Sequence, residues 1–192
     1  MPFVEVDLHA PILENFGVQL TDMGSRGARK LLSMAANKVG HKALTQVRRS
    51  LVQQTGVPYS RMMLLVTGLE AWPGEDPLQY KITAIAGETN LREFKPYSGP
   101  RSFSAAPWNE RRVFPNTFQP GLPGSNPDGL VYHRVGDTRQ IKPSFGPNVA
   151  REMLRDPTKQ RFIDAAQEVI PEIARLIDLR LRKQGPFIYN GE

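Results

Sequence analysis

The residues of this chain best placed to do chemistry are cations. Between Met23 and Leu69 there is no Asp or Glu, while Arg26, Arg29, Lys30, Lys38, Lys42, Arg48, Arg49 and Arg61 all fall in that window. The whole chain of 192 residues holds 25 Lys and Arg against 19 Asp and Glu, a formal net charge of +6. Cations without acids beside them replace the counterions of a phosphate backbone, or meet the acidic face of a neighbouring protein. Aromatic side chains do not interleave with the basic run, so stacking on unpaired bases is not expected of it.

Other chemistries find less material. The histidines are His9, His41 and His133, and no two have metal-ligand spacing. His133 and Asp137 could be drawn as a base and its orienting acid, but they straddle a turn and no nucleophile is indicated beside them. His133 is therefore expected on the surface of a strand. The glycines of "GLPGSNPDG" are interrupted by too many prolines to present a row of N–H groups to a phosphate. Glu70 with Glu75, and Asp164 with Glu168, read as solvated charges. Cysteine is absent, which excludes disulfides and thiolate metal sites. The expectation is a protein without catalytic residues, metal or cofactor. No apolar run approaches the ~20 residues that span a bilayer, and no basic stretch leads into an apolar one near the start, so a soluble, cytoplasmically made product is expected.

The elements that carry these residues follow from periodicity. Residues 1–24 form an arm in which "FVEVDL" alternates as a strand does. From about residue 24 to 54, Ala28, Leu32, Ala35, Val39, Ala43, Val47 and Leu51 recur at three- and four-residue steps and make one apolar stripe on a long helix. Lys30 and Arg49 fall opposite the stripe, and Lys38, Lys42 and Arg48 on its flanks, where their stems reach water. Gly40 weakens the helix slightly, and Gly56 is placed to cap its end. Pro58 opens a second helix expected to run to Gly68. In "LQYKITAIAGE", Leu78, Tyr80, Ile82 and Ala84 share one face of a strand.

Residues 91–129 are rich in Pro, Gly, Ser and aromatics. They read as a strand–loop–strand excursion that either folds back or packs on a neighbour. "LVYHRV" is the next strand. In "IKPSFGPNVAREMLRD", Pro143 and Pro147 bracket a tight corner and Asn148 caps a short helix. Asp156-Pro157 starts a last helix reaching about residue 183, with Phe162, Ala166, Val169, Ile173, Leu176 and Ile177 as its stripe. Pro171 should kink or split it. The fold class expected is α+β: a long basic N-terminal helix and a kinked C-terminal helix on a small, mainly antiparallel sheet with a long Pro/Gly-rich loop. One domain is expected over 25–184, followed by a tail at 185–192.

The order "ARKLLSMAANKVGHKALTQVRRSL", "TGVPYSRMM", "YKITAIAGETNLREF", "RRVFPNTF", "LVYHRVGDTRQIKPSFGPNVAREM" and a terminal amphipathic helix resembles the minor tail protein Z family, the tail completion proteins of long-tailed bacteriophages. The likeness covers residues 25–183. It rests on Ala35, Ala36 and Asn37 in the first helix, on Arg112 through Phe118, and on the segment from Arg139 to Val149. What the resemblance implies is a non-enzymatic virion protein at the head-proximal end of the tail, in the neck or connector region. It would form a homo-oligomeric, hexameric ring beside tail terminator, tail tube and head-connector proteins, around the passage of the genome, with no membrane partner. Subunit contacts are then expected at Arg111, Arg112, Phe114, Phe118, Pro143, Phe145, Pro147 and Val149. Lys38, Lys42, Arg48 and Arg49 are expected to face DNA, and charge reversal at Lys38, Lys42 and Arg49 to spare folding. The alternative is a free, non-catalytic, basic protein that binds duplex DNA.

Overall fold

The computed structural model describes residues 3–7, 25–99, 103–119, 129–136 and 138–184. Of the expected arm only strand β1 (Phe3–Asp7) is among them, and the tail at 185–192 lies outside them. The protein is α+β, with a long N-terminal helix, a kinked C-terminal helix and small antiparallel sheets. Helix α1 (Ser25–Thr55) has 31 residues, about 46 Å at 1.5 Å per residue. Its stripe is as the periodicity predicts: Ala28, Ala35, Val39, Ala43, Val47 and Leu51 are buried, Leu32 is half-buried, and Lys30 and Arg49 are exposed.

The helix stops at Gly56, whose φ of +80° suits glycine and whose N–H donates to the Val52 carbonyl at 2.9 Å. Asn109 completes this end: its Nδ2 donates to the carbonyls of Gln53 at 2.6 Å and Val52 at 3.3 Å. A Cβ on Gly56 would stand 2.9 Å from the Ala106 carbonyl and from the Asn109 nitrogen.

Helix α2 (Tyr59–Leu65) is shorter than expected. Its continuation to Gly68 is corrected by strand β2 (Val66–Leu69), where a buried Val66 and the β-branched Thr67 extend the chain. Strand β3 (Lys81–Ile85) buries Ile82 and Ala84, with Tyr80 buried just before it. A three-stranded sheet has the order β1–β3–β2. The later strands are β4 (Glu88–Asn90), β5 (Tyr97–Ser98), β6 (Phe103–Ala105), β7 (Arg112–Phe114), β8 (Thr117–Phe118), β9 (Tyr132–Arg134), β10 (Ile141–Pro143) and β11 (Phe145–Asn148). They pair antiparallel as β5–β6–β7, β10–β9–β8 and β11–β4. Helices α3 (Val149–Met153), α4 (Thr158–Gln167) and α5 (Val169–Gln184) close the chain.

Two compact units divide these elements. The strand-rich unit comprises Met1–Val4, Val47–Thr67 and Ala84–Gln160; the helical unit comprises Glu5–Gln46, Gly68–Thr83 and Arg161–Glu192. In the helical unit, Ala28, Leu31, Ala35 and Val39 of α1 pack with Val169, Ile173 and Ile177 of α5. The C-terminal helix splits at Glu168, so Pro171 sits in the first turn of α5, where its missing N–H has no intrahelical acceptor to lose. In α4 the buried apolar side chain is Ala165; the expected Phe162 and Ala166 are only half-buried.

In the strand-rich unit the 91–129 segment folds back in part, burying Leu91, Phe94, Phe103 and Ala105, while Tyr97 and Trp108 stay exposed. Asn148 caps α3 as expected, its Oδ1 accepting the Arg151 N–H at 3.1 Å. Thr158 Oγ1 lies 2.9 Å from Ser50 Oγ and 2.8 Å from Gln54 Oε1, and Gln54 Nε2 donates to the buried Glu152 carboxylate at 2.7 Å. These bonds satisfy polar atoms that burial would otherwise penalise.

Gly40 has a reason its propensity hides. A Cβ there would lie 2.3 Å from Cγ of the buried Tyr80 ring, and a Cβ on Gly68 would lie 2.2 Å from the Tyr80 hydroxyl oxygen. On an open helix Gly→Ala stabilises by about 1 kcal/mol; here overpacking of about 1–3 kcal/mol opposes it. Gly40→Ala is expected to lower the melting temperature by several degrees, and Tyr80→Leu in the same chain to recover part of that loss. A Gly40→Ala protein that melts higher than the parent would contradict the close approach.

Candidate interaction surface

The positive charge is not spread evenly. The strand-rich unit holds 14 Lys and Arg against 7 Asp and Glu, net +7, and the helical unit 11 against 12, net −1; together they give the +6 of the chain. The acid-free run that stands out in the sequence begins in the unit with no net positive charge.

In that helical unit the expected DNA-facing lysines are occupied. Lys38 Nζ donates to Glu172 at 2.9 Å, and Lys42 Nζ to Glu168 at 3.3 Å. The acids missing from the local sequence come from α5 and the residue preceding it. Glu168 is therefore an ion-pair partner and not only a solvated charge. Arg175 adds a second cation to Glu172, with Nη2 2.7 Å and Nε 3.1 Å from its carboxylate oxygens. Those hydrogen bonds, with Lys38 helping, hold the Glu172 carboxyl down at about 2 against the opposing effect of burial.

In the strand-rich unit Arg48 is half-buried. Its Nε and Nη2 donate to the Val66 carbonyl at 2.9 and 2.7 Å. Lys38 and Lys42 are thus exposed as expected but ion-paired, and Arg48 is half-buried; Arg49 alone of the four is exposed with no ion pair or hydrogen bond among the described residues.

The residues expected at subunit contacts divide the same way. Pro147 and Val149 are buried in the strand-rich unit, so the far side of the corner is core. Arg111 is laid along its own sheet, donating to Ser104 Oγ at 3.0 Å and to the Lys95 carbonyl at 3.1 Å. Arg112 pairs with Glu110 at 2.6 Å and lies 5.9 Å from the Trp108 ring centre. Phe118 is half-buried under the Arg134 guanidinium, 5.4 Å from its ring centre.

Phe114, Pro143 and Phe145 come together. They line one open groove of about 470 Å³, joined by Pro115, His133 and Ser144. Pro143 and Phe145 are exposed, and Phe145 keeps 45% of its surface accessible. A segment near 114 and the corner near 143, some thirty residues apart in sequence, thus make one surface.

His133 lies on strand β9 as expected and is half-buried there. Its Nδ1 lies 2.9 Å from the buried Ser144 Oγ. The hydroxyl that sequence spacing did not indicate is therefore present. Among the described residues no carboxylate hydrogen-bonds this histidine; Asp137, the acid drawn as its orienting partner, lies outside them. No group of three or more His, Asp or Glu side chains able to hold a metal ion occurs among the described residues, and no helix there is long and apolar enough to cross a membrane. Comparison with protein-family models, curated proteins and solved structures returns no match.

Two outcomes check the ion pairs. Because the Glu172 pKa is depressed in the folded state, its contribution is complete above the ordinary carboxylate pKa and is lost as pH falls from about 4.5 toward about 2. Glu172→Gln should flatten the fall of melting temperature over that window, and an unchanged pH profile would show that the cluster does not form. Lys38→Glu with Lys42→Glu sets like charges against Glu172 and Glu168. It is expected to lower the melting temperature relative to Arg49→Glu, which should be close to neutral.

Proposed function

We propose that this protein is a structural subunit of a phage virion at the head-proximal end of a long tail, completing the tail and helping join it to the head around the DNA passage. The ordered resemblance to the minor tail protein Z family supports this. The observation that carries it is the groove uniting Phe114, Pro143 and Phe145. An assembly subunit needs apolar surface that is open before assembly and covered after it. Burying a Phe side chain contributes about 1.5–3 kcal/mol, and a ring interface sets one patch against a different patch of the next copy. The proline corner serves this by fixing the direction in which Phe145 is presented. A hexameric ring, with tail terminator, tail tube and head-connector proteins as neighbours, is the assembly this reading names. The net +7 of the strand-rich unit is compatible with a channel wall; it also favours, as a second reading, a free duplex-DNA-binding protein.

Gold-labelled antibody against the protein, applied to purified virions, should mark the head–tail junction. Label along the tube, at the tail tip or on no particle overturns the reading. Phe145→Asp should leave the isolated subunit folded, by circular dichroism and melting temperature, while lowering its incorporation into virions at least tenfold. Undiminished incorporation would remove the groove from the assembly contact. Tight duplex binding at about 150 mM salt would favour the second reading.

A further inference from the structure

We infer that the surface meeting duplex DNA is the tip of the β9–β10 hairpin, through Arg134, Arg139 and Lys142, and not the basic run of α1. The inference uses the proposed function only to identify the polyanion as duplex genome; the geometry stands without it.

The helical unit has no net positive charge and pairs Lys38 and Lys42 with its own acids. Within the strand-rich unit many cations are also engaged. Arg48 is held by a backbone carbonyl, Arg61 and Arg92 by Glu93, Arg111 by Ser104 and Lys95, Arg112 by Glu110, and Arg155 by Glu152.

Arg49, Lys95, Arg151 and Lys159 are also exposed without a side-chain partner among the described residues but are scattered along the chain; the hairpin gathers three such cations on one ribbon. Arg134, Arg139 and Lys142 are exposed, and none makes an ion pair or side-chain hydrogen bond among the described residues. The sequence from Leu130 to Pro143 contains one acid, Asp137. The Arg134 guanidinium lies over the Phe118 ring, 5.4 Å from its centre, a contact that does not use its N–H donors.

The register places these charges on both faces. Arg134 stands opposite Ile141, and His133 opposite Lys142. Directly opposed residues share a face and successive residues alternate, so Arg134 and Lys142 point to opposite sides of the ribbon, with Arg139 in the turn between the strands. The β8 ladder ends at Thr117 opposite His133, the Arg134 N–H still donates to the Asn116 carbonyl at 3.0 Å, and beyond Arg134 the ribbon is two-stranded. A flat acidic protein face calls for cations on one side. A ribbon with cations on both sides fits between the two phosphate walls of a major groove, which admits a two-stranded ribbon. The turn is braced to keep that shape: Val135 N–H donates to the Gln140 carbonyl at 3.0 Å, and Thr138 Oγ1 to the Val135 carbonyl at 2.6 Å. Gly136 takes φ +57° with open space around it.

The test is binding to a fluorescent duplex of mixed sequence, by anisotropy, at about 50 mM and about 200 mM salt. Three phosphate contacts contribute about 2.7 to the slope of log affinity against log salt. The ratio of parent to R134Q/R139Q/K142Q affinity should therefore be about 40-fold larger at the lower salt than at the higher. K38Q/K42Q should bind as the parent does. Arg139→Gln alone, in the exposed turn, should show about a threefold difference between the two salts; it decides the matter should the triple variant fail to fold. No binding by the parent at the lower salt, equal binding by parent and hairpin variants, or a matching loss in K38Q/K42Q each overturns the inference. Gold label at the head–tail junction is independent of all three, so failure here and failure of the proposed function are distinguishable.

Discussion

In each unit, one asparagine stands in for a missing strand partner. Asn90 Oδ1 accepts the Val131 N–H at 3.0 Å while its Nδ2 donates to the Val131 carbonyl at 3.1 Å. The backbone N–H can only donate, so it fixes which amide atom faces it. Val131 is fully buried, and without this carboxamide its N–H would lose its only described acceptor. Asn90 Oδ1 also accepts the Arg92 N–H at 3.1 Å, and the Val131 carbonyl takes a second bond from Ser144 N–H at 2.8 Å. The start of β9, the corner before β11 and the turn after β4 thus meet at one side chain. Both the groove and the hairpin are positioned from there. Asn37 does the same in the helical unit, accepting the Ala71 N–H at 2.6 Å and donating to the Ala71 carbonyl at 3.1 Å.

With the backbone so fixed, electrostatics sorts the cations into two kinds. Lys38 and Lys42 of α1 are matched by acids on the α4–α5 segment, and because Glu172 is largely covered its pair is worth more than an exposed one. Those on the hairpin have no such match among the described residues. A uniform basic coat would repel itself and bind polyanions anywhere; a short unmatched set, held on a braced turn, gives direction to the attraction.

What was legible in the sequence was what depends on local period. The α1 stripe, the Gly56 and Asn148 caps, the split near Pro171 and the alternation of Tyr80, Ile82 and Ala84 all arise from residues within a turn or two of each other. What was not legible depends on sequence separation. Glu168 and Glu172 neutralise lysines 126 and 134 residues away, and no periodicity reports that. The same holds for Ser144 beside His133, since a hydroxyl eleven residues on is brought close only by strand pairing. Helix α2 was overextended because Leu64, Leu65 and Val66 read alike as apolar, and only burial distinguishes the strand that begins at Val66. In α4 the shift from Ala166 to Ala165 follows from the break at Glu168: the stripe does not carry its phase across a new helix start. Asn37 gave a partial signal, and Asn90 none. Asn37 figured in the resemblance, but a polar residue in an Ala-rich helix does not announce which distant peptide it serves.

The cap on α1 ties an outlying segment to the longest element. Asn109 reaches the last carbonyls of the helix from a turn in which Trp108 and Asn109 both take left-handed backbone angles, φ 55° and 59°. That conformation is costly for a non-glycine residue, and the two bonds help offset it. A pull on the neighbouring β6–β7 hairpin is therefore transmitted to the helix end within a few residues. The end of the longest helix and the turn before β7 are thereby coupled through one carboxamide.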